Sequence, residues 1–311
     1  MNILAIESSC DETAVAIVRD GREVLTDCIA SQVALHREYG GVVPEIASRK
    51  HIEAIYPLAD QALKEAGLTR TDIDAVAVTY APGLIGAVLV GVNFAKAAAM
   101  ALKKPLIPVH HIRGHIAANY LAYPELEPPF LCLVVSGGHT MIIEVKDYTD
   151  MRILGTTLDD AAGECFDKVG RVLGMPYPGG AALDKAAQQG DETKYPLPVA
   201  KSGENPYNMS FSGLKTATLN LIHHAQQVGE ELDIPSLCAS FTAAVSETLV
   251  PRVVRALEET GYRKVAVAGG VAANSRIRHD ILEAAKKLDA EVYMPPLKLC
   301  GDNGAMIGSQ A

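Results

Sequence analysis

Residues 110–115 read HHIRGH, and His111 and His115 within them stand four apart. On a helix that spacing puts two imidazoles on one face, which is how a metal site begins. Zinc proteases set a glutamate between such ligands as general base. Here the intervening residues are Ile112, Arg113 and Gly114, so that base is absent. Two buried core histidines capping nearby backbone would give the same pattern, and the pair alone does not decide between these readings. Asp302, beside Asn303, reads on its own as the N-cap of a final helix. Gly137-Gly138 and Gly269-Gly270 each follow an apolar run. Turn amides there could take phosphate oxygens, although a lone Gly-Gly need be no more than a tight turn.

The elements that must hold these residues alternate along the chain. NILAIESS followed by TAVAIVRDG reads as a hairpin of buried strands around a polar turn. A helix is expected over 45–66, then a strand, a glycine turn and an apolar helix within DAVAVTYAPGLIGAVLVGVNFAKAAAMAL. PLIPVH is a short strand leading into a histidine helix, 111–122, and the proline-rich AYPELEPPF marks a boundary. The pattern then restarts. PFLCLVVSGGHTMIIEVKD repeats the opening strand–turn–strand, and KVAVAGGVAANSRIRHDILEAAKKL repeats the later strand–glycine–helix. The expectation is an α/β chain made of two copies of one mixed-sheet unit, with a central cleft between them suited to a nucleotide. LDDAAGECFDKVGRVLGMPYPGGAALDKAA and NMSFSGLKTATLNLI add helices to the second copy.

Composition narrows the function classes. A net charge of −9 argues against gripping nucleic acid over the whole surface, leaving only small basic clusters such as Arg49-Lys50-His51, Lys103-Lys104 and Arg276 with Arg278. Six scattered cysteines without C-x-x-C spacing read as reduced thiols, not as a disulfide framework or zinc knuckle. The opening NILAIE carries Glu7 and does not read as a signal peptide. The longest uncharged apolar stretch, 81–95, falls short of a membrane span and ends at Lys96. A cytoplasmic protein without a membrane role is expected.

ESSCDETAVAI, HHIRGH, VVSGGHT, GECFDKVGRVLGMPYPGG, SFSGLKTA, AGGVAANSRIR and CGDNGAMI together resemble the bacterial tRNA threonylcarbamoyladenosine transferase family, once described as O-sialoglycoprotein endopeptidases. The resemblance runs in order over essentially the whole chain. It implies the duplicated actin-like, sugar-kinase and Hsp70 fold (ribonuclease H-like), with a first domain over 1–125 completed by 302–311 and a second over 126–301. It implies transfer of a threonylcarbamoyl group from its adenylate to N6 of the adenosine 3′ of the anticodon, in tRNAs reading codons that start with A, with release of AMP. It implies one divalent metal, iron ahead of zinc, on His111, His115 and Asp302. The adenylate-binding positions fall on Val134, Val135, Ser136, Gly137, Gly138, Asp167, Gly180, Asp184 and Asn274, and a catalytic acidic pair on Asp11 and Glu12. An inactive paralogue subunit and a small ATPase are the implied partners, the paralogue meeting helix 45–66 and the helix starting near Gly86. Two departures stand out. Family chains continue with further helix, whereas this one stops nine residues after Asp302 (311 minus 302), and Gly301 and Gly304 replace the commoner Thr and Ala.

Three rivals remain. A small-molecule kinase of the same fold could use Asp11 but has no place for a histidine helix. A metalloprotease lacks its base and leaves the duplicated glycine turns unexplained. An inert scaffold would be expected to have lost the histidines or the second glycine turn.

Overall fold

The computed structural model describes residues 1–201 and 203–311. Two compact units emerge, Met1–Leu126 with Pro295–Ala311, and Glu127–Met294. In the first lie β1 (Asn2–Glu7), β2 (Glu12–Arg19), β3 (Glu23–Ser31), α1 (Val33–Arg37), α2 (Pro44–Glu65), β4 (Ala75–Ala81), α3 (Ile85–Leu102), β5 (Leu106–His110) and α4 (His111–Ala122). The second holds β6 (Phe130–Val135), β7 (Thr140–Val145), β8 (Met151–Thr156), α5 (Ala162–Val172), α6 (Gly179–Ala187), α7 (Ser212–Val228), α8 (Ile234–Thr260), β9 (Lys264–Ala268), α9 (Ser275–Lys287) and β10 (Glu291–Tyr293). The chain then returns to the first unit with α10 (Gly304–Gln310).

The two sheets have one topology. The first runs β3-β2-β1-β4-β5 and the second, read from its other edge, β8-β7-β6-β9-β10. In each, a three-stranded antiparallel meander is followed by two strands parallel to its first member. That is the expected duplication, written in strand order.

β1 is central and buried on both faces, so its residues alternate between two cores. Leu4 and Ile6 pack with Val15, Ile17 and the Ile55, Leu58 and Ala95 side chains of α2 and α3. Ile3 and Ala5 face the other way, onto Val109, Ala118, Met306 and Ile307. Each fully buried Ile or Leu stabilises by about 1.5–3 kcal/mol, so β1 is a rigid mount for the turn that follows it. Leu299 belongs to the same core. That packing explains why the chain rejoins the first unit at Pro295, ahead of the residue 302 expected from sequence.

α2 begins at Pro44, one residue earlier than the helix expected from 45. A proline is tolerated at the first helical position because its missing N–H would have no partner there. α3 runs past Lys96 to Leu102, which corrects the expected shortfall: α3 and α8 are both long and apolar enough to cross a membrane by length and composition. α8 is a core helix, with 78% of its apolar window buried, against 28% for α3. α1, α8 and the strands β3, β8 and β10 are not among the elements expected from the sequence. All six cysteines are free.

Candidate active site

β5 passes into α4 without a loop, so the first turn of α4 is fixed by the sheet. His111 and His115 lie one turn apart on it, their rings 4.5 Å between centroids at 78°. Gly114, between them, lies against α10: a Cβ there would come within 2.7 Å of Ile307 Cδ1. That close approach brings the start of α10 alongside the histidines. Asn303, not Asp302, caps α10, its side chain accepting from Met306 N at 2.8 Å. Asp302, one residue earlier, lies against the histidines. Its Oδ1 stands 3.2 Å from His115 Nε2 and 3.6 Å from His111 Nε2.

The residues fit a metal. One ligand atom from each of His111, His115 and Asp302 lies within 4.8 Å of the others. Ligand atoms about 2.0–2.2 Å from a shared ion stand roughly 3–3.6 Å apart. Both ring nitrogens of His115 are buried and make no hydrogen bond, and Nε2 has the Asp302 oxygen 3.2 Å away; an ion shared with Asp302 would satisfy that nitrogen. Burial alone would push His111 down, but the Glu7 and Asp302 carboxylates outweigh it and hold it up to about 9. Three protein ligands of this type leave coordination positions open, as catalytic sites do.

The β1–β2 turn comes to the same place. His51 pins it through Thr13 Oγ1 at 2.7 Å and the Cys10 carbonyl at 2.9 Å. Asp11 and Glu12 are both raised, first by burial and further by negative charge, that of Asp302 on Asp11 and those of Asp11 and then Asp302 on Glu12. Glu12 reaches about 7, although Ser31 Oγ donates to its Oε1 at 2.8 Å and lowers it. Its Oε2 is buried without a partner. Thus His111, His115 and Asp302 form one cluster in the first unit, and the turn carrying Asp11 and Glu12 reaches it through Ser9, whose Oγ is 3.2 Å from His111 Nδ1.

The remaining candidates all lie in the second unit. Val134 and Val135 close β6, and Ser136, Gly137 and Gly138 form the turn to β7, with Ser136 N donating to the His139 carbonyl at 2.7 Å. Gly269 follows β9 beside it with φ +92°, and a Cβ would sit 2.5 Å from the Val135 carbonyl oxygen, so only glycine fits. Gly137, Gly138 and Gly270 have open space where a Cβ would go. Asp167, on α5, accepts from Gly179 N at 2.8 Å, next to Gly180. Asp184, on α6, accepts from Ser275 N at 3.2 Å and Ser275 Oγ at 2.8 Å. Asn274 caps α9, accepting from Ile277 N at 3.0 Å. The structure therefore gathers these residues as two turns and two joined helix starts. Asp167, Asp184 and Asn274 each already hold backbone N–H groups. A cavity of about 240 Å³ adjoins Asp184 and Ser275.

The family profile described as tRNA N6-adenosine threonylcarbamoyltransferase matches residues 23–309. The chain is 56% identical over 310 residues to the enzyme of that name from Moorella thermoacetica, covering 100% of this chain and 91% of that one. It is 52% identical over 311 residues to the one from Clostridium botulinum (strain 657 / Type Ba4), covering 100% and 92%. The chain belongs to the tRNA N6-adenosine threonylcarbamoyltransferase family. It is a transferase, and the kinase, protease and scaffold alternatives are not favoured.

Solved structures of similar fold include HypF of T. kodakarensis, at TM-score 0.67 and 15% identity over 99% of this chain and 47% of that one. Component A of the (R)-2-hydroxyglutaryl-CoA dehydratase of Acidaminococcus fermentans follows, at 0.56 and 15% over 100% and 97%. These likenesses speak to the fold alone, which is the actin-like, sugar-kinase type.

Two carboxylates beside this site were not among the residues expected from the sequence. Glu7 ends β1 straight after the apolar run Ile3–Ile6 and is fully buried against His111. Asp27, within β3, accepts from Gly304 N at 3.0 Å and so holds the start of α10. An acid at the end of an apolar strand was the available signal for Glu7; Asp27 had none.

Proposed function

We propose that the chain transfers the threonylcarbamoyl group from threonylcarbamoyl-adenylate to N6 of the tRNA adenosine 3′ of the anticodon, in tRNAs reading codons that start with A, releasing AMP. The observation that carries this reading is the full-length identity to threonylcarbamoyltransferases together with the His111, His115 and Asp302 cluster beside an acidic turn. The donor is a mixed anhydride, already activated, so no water-splitting glutamate between the histidines is required. The acceptor amine is a weak nucleophile because its lone pair is delocalised into the adenine ring. Orientation and proton removal are therefore what the protein must supply.

In this reading the N6–carbon bond forms as the carbamoyl carbon–oxygen bond to the phosphate breaks, and the electron pair leaves with AMP. The amine proton goes to a carboxylate of the β1–β2 turn. Glu12 suits the task, since one oxygen is held by Ser31 and the other is buried and unclaimed. Asp11, at its side, is the alternative. His111, His115 and Asp302 hold one divalent metal, iron ahead of zinc, which when bound supplies Lewis-acid polarisation of a substrate oxygen. The Ser136–Gly138 turn with Val134 and Val135 takes the adenylate phosphate. Asp167, Gly180, Asp184 and Asn274 take its nucleoside; for Asp184 that means sharing its carboxylate with Ser275.

An inactive paralogue and a small ATPase complete the enzyme in the cytoplasm. The paralogue is assigned to α2 and α3, where Ile52, Tyr56, Leu89, Ile85 (81% exposed) and Met100 (80% exposed) face solvent. The test is incubation with threonine, bicarbonate, ATP, unmodified tRNA and the partner proteins, followed by nucleoside analysis. Appearance of threonylcarbamoyladenosine supports the reading. Its absence, with active partners present, would refute it.

A further inference from the structure

Glu7 is spent on nothing in the reaction above, yet it is among the most expensive side chains in the first unit. Its carboxylate is fully buried at the end of β1. A buried carboxylate costs several kcal/mol unless it is paired and hydrogen-bonded. Here three donors surround it: Ser9 N on Oε1, and Thr79 Oγ1 with His111 Nδ1 (3.0 Å) on Oε2. Ser9 Oγ also lies 3.2 Å from the same ring nitrogen. The His111 ring thus has two different ends. Nδ1 faces an anion across the strand, whereas Nε2 faces Asp302 and the side of the ring shared with His115.

A neutral imidazole carries one proton, and the nitrogen beside the stronger acceptor keeps it. An anionic oxygen at Nδ1 therefore leaves the lone pair on Nε2, the nitrogen aimed at the three-ligand cluster. We infer that Glu7 is a positioning residue for the metal centre, holding His111 as its Nδ1–H tautomer with Nε2 directed to the point shared by His115 and Asp302. The inference rests on the metal reading of the preceding section. It also accounts for charge: Glu7 and Asp302 together match a divalent ion, which a buried site needs. His115 has no such backing, because its Nδ1 is buried without a partner. The two ligands are unequal, and His111 is the one the fold prepares.

Glu7→Gln tests this with little change of shape. Its amide offers one acceptor and one donor, so it cannot serve Ser9 N and His111 Nδ1–H from opposite ends. With the oxygen on Ser9 N, the NH2 meets Nδ1, which must then accept, and the ring proton moves to Nε2 where an ion would bind. We expect Zn²⁺ to bind the metal-free wild-type chain at one site and to bind Glu7→Gln roughly 10–100-fold more weakly. Thr79→Val removes a different donor from the same oxygen and should leave Zn²⁺ affinity little changed. In ¹⁵N-histidine-labelled protein, wild type with Zn²⁺ should carry the His111 proton on Nδ1, and metal-free Glu7→Gln should carry it on Nε2. Equal Zn²⁺ affinity in Glu7→Gln and wild type would overturn the inference while leaving the metal reading standing. No Zn²⁺ binding by wild type would remove both. Should Glu7→Gln not fold, the wild-type spectrum decides: a His111 bound through Nδ1 overturns the inference, and a proton on Nδ1 upholds it.

Discussion

Glu12 keeps one oxygen on Ser31 and the other buried, and burial raises it to about 7. An acid raised in the folded state retains its proton over the range, here from the ordinary 4.5 to about 7, in which the unfolded chain has lost it. Its contribution to stability is then complete below that window and lost as pH rises through about 7. Activity runs the opposite way, because a base must be ionised. Transfer should therefore climb with pH through about 7. Glu12→Gln should lower kcat by roughly 10²–10⁴-fold and erase that acidic limb, while thermal stability at pH 8 holds or rises. A limb that survives in Glu12→Gln would shift the role to Asp11. Gly138 offers a second test at this scale. A Cβ there meets no atom within 4 Å, so Gly138→Ala should melt with wild type. If the turn approaches the adenylate phosphate, the same variant should bind AMP more weakly by about tenfold, or ~1.4 kcal/mol, in calorimetry. Unchanged affinity would refute the phosphate assignment of this turn.

At the scale of elements, the metal cluster depends on where α10 begins. Asp27, on β3, accepts from the backbone of Gly304 and Ala305, and burial lifts its carboxyl to about 6. Asp27→Ala leaves both N–H groups without their acceptor, at a cost of about 1–3 kcal/mol for each that stays buried. It should lower the melting temperature and weaken metal binding together, since Asp302 lies just before the freed turn. Asp27→Asn keeps an acceptor and should keep both properties near wild type. Metal binding unaffected in Asp27→Ala would mean that Asn303 and the core contacts of Met306 and Ile307 suffice to seat Asp302.

For the molecule as a whole, the net charge of −9 sets the terms for RNA. Cations that could meet phosphate are already committed: Arg276, from one of the basic clusters, pairs with Glu192 and Asp280, and Lys215 pairs with Asp160. Phosphate neutralisation by free Lys and Arg supplies most RNA affinity. The isolated chain should thus bind tRNA weakly, with steep loss in salt, and modify it slowly until partners are added. Filter binding across a salt series and turnover with and without partners check this; tight, salt-resistant binding by the chain alone would refute the charge argument. The sequence by itself determined the histidine helix, the duplication and the strands other than β3, β8 and β10, because periodicity and apolar runs are local properties written residue by residue. It also placed His111 and His115 on one face. Only the tertiary structure decided that Asn303 caps α10 while Asp302 lies beside the histidines, that Glu7 stands behind His111, that Asp27 anchors the start of α10, and that Asp184 is tied to Ser275. Each of those is a meeting between elements distant in the chain, fixed by strand order and helix packing, and no local pattern encodes which side chain waits on the other side.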